Sequence, residues 1–427
     1  MFADLMDIVN ADVIPLIYRL IFMSMPIVVP IILVYIFGIV WVYYIQLKFI
    51  IASKPFLYEI KIPKDIQKSP LAMEIILNSM QSGGAGNYTE AFIQGKVGSW
   101  FSLEIASTEG EIRFFIWASD KKFKEILMSY IYSQYPTVEV IPVDLNDDYT
   151  RQLAGDDTKK YDKFGVQYCL SKPDVYPIKT YVDYGLDKDQ KDEYRIDPIS
   201  SVLEFMATAG KGQHMWLQIL IKKHGKEGVF EHRLRKTEDW KELGKNEVEK
   251  IRAEATPKTD GDYPGFPNPT KGQIEKIAAI ERSIAKMAYY TMIRGIYIAE
   301  NEKFSSSHVT GLRAIFKHYG SEDLNILKPK FQTGIPDEKK DWITIFPFLN
   351  IIWKNRITDW KKDMFRAYRL RSFFFAPYRH YKGEPFTMSV EELATLYHFP
   401  GNVTSTPTLN KIKSKRHEAP MNLPIKK

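Results

Sequence analysis

The chain has 427 residues, of which 45% are hydrophobic, 14% aromatic and 26% charged; that balance argues against a disordered chain, and the length suits two or three domains with more than one core. The net charge of +7 is uneven, because residues 351–427 hold fifteen Lys/Arg against six Asp/Glu while residues 1–350 hold forty-four against forty-six. A lone cysteine, Cys169, excludes an internal disulfide and a cysteine-rich zinc site, and reads as a small apolar filler in a strand.

Residues 1–25 carry Asp4, Asp7 and Asp12 against Arg19 alone. Within them, 14–25 is apolar apart from Arg19 but too short to span a bilayer, so it reads as an interfacial segment or part of a tilted hairpin. Residues 26–51, PIVVPIILVYIFGIVWVYYIQLKFII, lack charge except at Lys48 and suffice to cross a hydrocarbon core of about 30 Å as a helix. No basic region precedes this run and no small-residue cleavage site follows it, which disfavours a signal peptide. Trp41, Tyr43, Tyr44 and Lys48 stand where an aromatic and basic membrane interface belongs. The positive excess on the C-terminal side predicts a single-pass protein of the inner, cytoplasmic membrane with its soluble part in the cytoplasm.

Residues 54–145 form a first module. Residues 56–62 read as a strand, and Ser69-Pro70 opens a helix carrying Met73, Ile76, Leu77 and Met80. Phe101, Leu103 and Ile105 alternate with polar or small residues, and after Glu109-Gly110 the alternation resumes at Ile112, Phe114 and Ile116, predicting two half-buried strands of a hairpin. After an Asp120 N-cap, Phe123, Ile126, Leu127, Tyr130 and Ile131 fall on one helical face, and a strand follows Pro136. The order β-α-β-β-α-β predicts a ferredoxin-like antiparallel sheet with both helices on one face. Alternating helices and strands also suit a parallel doubly wound sheet, but the tight Glu-Gly turn requires antiparallel pairing.

Residues 144–162 are polar and acidic, as a linker would be, and 160–332 repeat the plan. Strands are expected at 166–170, 178–182, 215–221, 289–299 and 324–327, and helices from Asp197-Pro198, over 274–287 and over 305–319. The charged stretch 222–272, ending in DGDYPGFPNPT, reads as a helical insertion. The fold class is therefore α+β: a transmembrane helix followed by two ferredoxin-like modules, the second with the insertion. Residues 340–427 form a basic C-terminal region of helices and extended tail. In it, 342–353 resembles a membrane-surface or docking element, and Ser389-x-x-Glu392 caps a short helix whose Glu391 and Glu392 read as a solvated face.

No catalytic constellation, phosphate loop or close histidine pair emerges: Gly95-Lys96-Val97 and Ala209-Gly210-Lys211-Gly212 read as turns and 83–86 as a flexible loop. A non-enzymatic protein without cofactor or metal is the expectation. The strongest functional candidate is the helix 357–375, where Lys361, Lys362, Arg366, Arg369 and Arg371 alternate with Trp360, Phe365, Tyr368 and 373–375. Such a face can contact nucleic acid, anionic lipid or a protein, and its charge does not choose among them.

GKVGSWFSLEIASTEGEIRFFIWASDKKFKEILMSYIYSQYPTVEV, SKPDVYPIKTYVDYG, DPISSVLEFMATAGKGQHMWLQILI, FTMSVEELATLYHFPGN and APMNLP together resemble an uncharacterised N-terminal region of type IV secretion coupling-protein-like (HerA/FtsK-like) ATPases of reduced-genome bacteria. The resemblance covers about residues 50–425. It implies a place in a secretion or conjugation machine, with a separate motor ATPase, further secretion subunits or a second copy of the chain as partners. The chain stops just after APMNLP, where that family's ATPase domain would begin, so an ATPase-free structural or adaptor subunit is expected. A membrane-tethered nucleic-acid-binding protein is the alternative.

Overall fold

The computed structural model of the chain describes residues 14–63, 68–81, 87–144, 146–153, 160–188, 196–225, 239–256, 268–334, 347–379 and 381–401; the side chains at 14–17, 19–21, 88 and 347–354 fall outside that set. The loop 83–86, residues 342–346 of the expected docking element and the tail from 402 lie outside the described residues.

Helix α1 (Ile14–Ala52) leads into β1 (Phe56–Lys61), α2 (Leu71–Ser79), α3 (Tyr88–Ile93), β2 (Trp100–Thr108), β3 (Glu111–Ala118), α4 (Lys124–Gln134) and β4 (Glu139–Val143). Next come α5 (Tyr149–Gln152), β5 (Tyr161–Leu170), α6 (Pro198–Ala207), β6 (Gln213–Lys223), α7 (Trp240–Glu254), α8 (Lys271–Ala285), β7 (Ala288–Glu300), α9 (Ser306–Ala314) and β8 (Leu327–Gln332). The described chain closes with α10 (Pro347–Arg369), β9 (Phe386–Ser389) and α11 (Val390–Leu396).

All nine strands share one sheet, ordered β4-β1-β3-β2-β6-β7-β5-β8, with β9 also pairing β7. Every pairing is antiparallel. Each half has its fourth, first, third and second strands in that spatial order, and the halves join through β2 and β6, from Trp100 opposite Lys222 to Thr108 opposite His214. Both strands are buried on both faces, WFSLEIAST and QHMWLQILIKK, and pairing them removes two exposed edges. The hairpin turns where expected: Glu109 and Gly110 both have positive φ, 54° and 89°, as a type I′ turn requires.

One face of the sheet carries α2, α4, α6, α9 and α11. Tyr58, Leu103, Phe114, Leu217, Ile293 and Tyr397 lie in its core, which runs unbroken through both halves. Fully burying a large apolar side chain contributes about 1.5–3 kcal/mol. On α2 the spacing read correctly, for Met73, Ile76, Leu77 and Met80 are all buried. On α4 only the row Phe123, Leu127 and Ile131 is buried, whereas Ile126 and Tyr130 are exposed, so the apolar stripe is narrower than expected.

The second face is covered too, which corrects the half-buried reading of the hairpin. Trp100, Phe115, Trp117, Trp216 and Ile296 form a second core with Met364, Phe365 and Tyr368 of α10 and Phe373, Phe374 and Phe375 beyond it. The expected linker contributes as well, since Asp148, Tyr149 and Thr150 are buried.

Residues 178–182 are not a strand. Their backbone pairs with side chains of α11 instead: Ile178 N donates to Glu392 Oε1 at 3.0 Å and Tyr181 N to Thr395 Oγ1 at 2.9 Å. The strand expected at 324–327 begins at Leu327 and continues to Gln332. The capping box of α11 is present, with Glu392 Oε2 accepting from Ser389 N at 2.8 Å. Its acids are not a solvated face, however: Glu391 is 2% exposed and Glu392 0%. Arg282 Nε reaches Glu391 at 3.0 Å, and Lys286 Nζ bridges Glu391 and Glu74 at 2.9 and 2.8 Å, tying α11 to α8 and α2.

Burial, opposed by the hydrogen bonds from Ser389 and Ile178, pushes the Glu392 carboxyl up to about 7. The folded protein therefore keeps this proton between the unfolded value of 4.5 and about 7, and the stability so gained is lost as pH rises through that window. Glu392→Gln cannot titrate. Thermal melts of both proteins should show the stability difference, wild type minus variant, falling by on the order of 2 kcal/mol between about pH 5 and pH 7.5. A difference independent of pH would contradict the assignment.

Candidate functional site: the apolar N-terminal helix and the basic C-terminal helix

Residues 14–25 and 26–51 form one continuous helix, α1, with no break between an interfacial and a spanning part. Pro26 and Pro30 lie inside it, as membrane helices tolerate. The stretch Phe22–Ala52 is long and apolar enough to cross a bilayer. Trp41, Tyr43, Tyr44 and Lys48 are exposed on it, at the end nearest the sheet. The Trp41 ring stands 6.2 Å from Phe37 and 6.4 Å from Tyr44, forming an aromatic girdle one to two turns deep.

Below the girdle the helix docks. Ile45 is buried, and Phe49 and Ile50 pack against the second core. Ser53 O accepts from Lys121 N at 3.1 Å, and residues 53–55 pass directly into β1. The sequence reading missed α3, although Asn87-x-x-Glu90 is a helix-start signature; the Glu90 carboxylate accepts from Asn87 N at 3.0 Å.

The basic helix begins and ends earlier than expected, spanning Pro347–Arg369, and its aromatic residues are largely unavailable to bases. Phe365 and Tyr368 are buried, as are Phe373, Phe374 and Phe375 in the irregular segment that follows. The ammonium of Lys382 lies 3.4 Å from the centre of the Trp360 ring.

Two of the five predicted contact cations are engaged within the protein, one of them partly exposed and the other buried. Lys361 Nζ pairs with Asp162 at 2.5 Å. Arg371, 3% exposed, makes a two-pronged pair with Glu104, Nε to Oε1 at 2.9 Å and Nη2 to Oε2 at 3.0 Å, and Nη1 reaches Asp148. Arg369 leans over Phe365 at 5.8 Å, Lys362 is half-buried and Arg366 is exposed. The five residues therefore do not form one continuous cationic face.

Glu104 also accepts from Tyr149 OH at 2.8 Å, Gln218 Nε2 at 2.7 Å and Ser102 Oγ at 2.6 Å. Arg294, wholly buried, donates to Gln218 Oε1 at 2.6 Å and to Ala367 O at 2.7 Å, so it closes the network on the last carbonyls of α10. Burial works against the Asp148 carboxylate, but the charge and hydrogen bonds of Arg371 hold it below the usual range. Among the described residues no three His, Cys, Asp or Glu side chains converge as a metal ion would require.

Residues 63–412 match the domain of unknown function DUF8128, and the chain belongs to that family. The match begins after β1 and takes in the rest of the sheet. No curated protein matches the chain.

Removing Arg371 while keeping Glu104 and Asp148 strands two carboxylates in the second core. Arg371→Met should therefore cost about 3–5 kcal/mol in chemical denaturation of the detergent-solubilised protein, whereas Lys362→Ala should stay within about 0.5 kcal/mol. Equal effects at the two positions would mean that Arg371 is a surface cation after all.

Proposed function

We propose that this DUF8128 protein is a membrane-anchored, non-catalytic structural or adaptor subunit of a type IV secretion or conjugation-like transfer machine. On this reading α1 crosses the inner membrane once, and the body on its cytoplasmic side contacts a separate motor ATPase. The observation that carries the proposal is the continuity of α1 with the body. The helix runs without interruption from its exposed apolar stretch into contacts with the second core, an arrangement that suits a sheet held at a set distance from a bilayer.

The machine and the motor are inferred from the sequence resemblance. We read each half of the sheet as a ferredoxin-like module, supported by the shared strand order and antiparallel pairing. Strands β4 and β8 end the sheet among the described residues, and unpaired backbone there suits contact with another copy or with a motor subunit. The nucleic-acid alternative draws less support, since Lys361 and Arg371 are engaged within the protein.

Two measurements test the proposal. Alkaline carbonate washing should leave the full-length protein in the membrane pellet, and release into the supernatant would remove the anchor. Purification in mild detergent from cells carrying the native operon, followed by mass spectrometry, should recover a motor ATPase or other secretion subunits. Recovery of the chain alone, with DNA bound through Lys362 and Arg366, would overturn the adaptor reading in favour of the alternative.

A further inference from the structure

The thickness of a bilayer fixes where α1 leaves it. From Phe22 to Val40 the side chains are exposed apart from half-covered Gly38, and such a stretch of helix rises about 28 Å, close to the ~30 Å of a hydrocarbon core. From Trp41 onward the pattern changes: Val42, Gln46, Phe49 and Ile50 are partly covered and Ile45 is buried. Protein packed on Ile45 cannot share its space with acyl chains. The membrane boundary therefore falls near Trp41, where the aromatic girdle begins.

The part of the body standing at that level is α3. Trp41 Nε1 donates to Phe92 O at 3.1 Å. Gly95, just past the helix, approaches α1 so closely that a Cβ there would lie 2.3 Å from the carbonyl carbon and oxygen of Ile45. Its φ of +67° is also one that suits glycine. These backbone contacts fix α3 beside the turn where α1 emerges. On α3, Phe92 is 40% exposed and Ile93 69%, and their apolar surface continues that of the span above. The polar groups nearby are turned to each other, with Lys96 Nζ on Glu90 at 3.0 Å.

We propose that α3 is a second membrane contact, with Phe92 and Ile93 entering the boundary between lipid headgroups and acyl chains beside Trp41. Apolar side chains on a short surface helix enter this layer, which accepts an apolar face while the backbone stays near water. A single spanning helix leaves the body free to swivel about its axis. A second contact off that axis sets which edge of the sheet faces the membrane and which faces the cytoplasm. This inference rests on the reading of α1 as a membrane span.

The test uses the full-length Cys169→Ser protein carrying one further substitution, Ile36→Cys in the span, Ile93→Cys on α3, or Lys211→Cys. Lys211 is exposed in the turn beside the β2–β3 hairpin tip, at the opposite end of β2 from Gly95. Each protein is labelled with an environment-sensitive fluorophore and reconstituted in phosphatidylethanolamine/phosphatidylglycerol vesicles containing lipids spin-labelled along the acyl chain. We expect a blue-shifted emission and loss of intensity by quenching at positions 36 and 93, with the label at 93 responding most to spin labels near the headgroup, and neither effect at 211. If the label at 36 is quenched while that at 93 behaves like 211, the second contact is overturned and the span stands. If the label at 36 is not quenched, the span fails and this inference falls with it.

Discussion

The Arg371 guanidinium, gripped between Glu104 and Asp148, is the constraint on which the second face of the sheet depends. Glu104 lies in the middle of β2, the strand through which the two halves join. An ionised carboxylate there could not persist under an apolar cover without a partner, because desolvating it costs several kcal/mol. Arg371 provides that partner from 267 residues away, and Ser102, Tyr149 and Gln218 fill the remaining acceptor positions of the carboxylate. The geometry is demanding enough to hold Arg371 at a φ of +48°, a region that costs a non-glycine residue about 1–2 kcal/mol. In this seat of the C-terminal segment both carboxylates and the guanidinium have hydrogen-bonding partners.

That seat links three parts of the molecule distant in sequence. Trp100 donates from its indole to Arg371 O at 2.9 Å, and its ring meets Trp117 and Phe375 at 5.5 and 5.4 Å. Phe49 and Ile50, near the end of α1, pack against the same core. Helix α1, the central strands and the C-terminal segment thus share one set of contacts. Protein interiors are close-packed and little compressible, so displacement of one part is resisted by the others. The body and the end of α1 that packs on it therefore form one close-packed unit.

Much of the fold could be read locally. The Glu109-Gly110 hairpin, the buried row on α2 and the Ser389-Glu392 box all depend on residues within a few positions of one another, where alternation and capping have direct geometric meaning. What could not be read lies at long range. Nothing in the alternation of 100–108 says whether Glu104 meets water or Arg371, and the default assignment of a charged residue to solvent failed there as it did at Glu391 and Glu392. Residues 178–182 misled for a related reason: a β-like sequence found its hydrogen bonds on the side chains of α11, which no local pattern announces. Helix α3 was different: Asn87-x-x-Glu90 is a local helix-start signature, but six residues are too few to show a helical period.

The same blindness to distant partners explains why the basic helix looked more available than it is. Between Arg356 and Arg371 the segment carries six cations. Against them stand Asp359 and Asp363 on the segment itself, and Asp162, Glu104 and Asp148 on the surfaces it packs against. The folded region is therefore close to neutral. Affinity for a polyanion comes chiefly from counterions released by unpaired cations, and a cation already held by a carboxylate releases few. Of the net +9 that the sequence carries over 351–427, +5 lies beyond residue 401, where it has Lys411, Lys413, Lys415, Arg416, Lys426 and Lys427 against Glu418. That stretch is the most basic part of the sequence, whereas α10 puts Met364, Phe365 and Tyr368 into the interior of the fold.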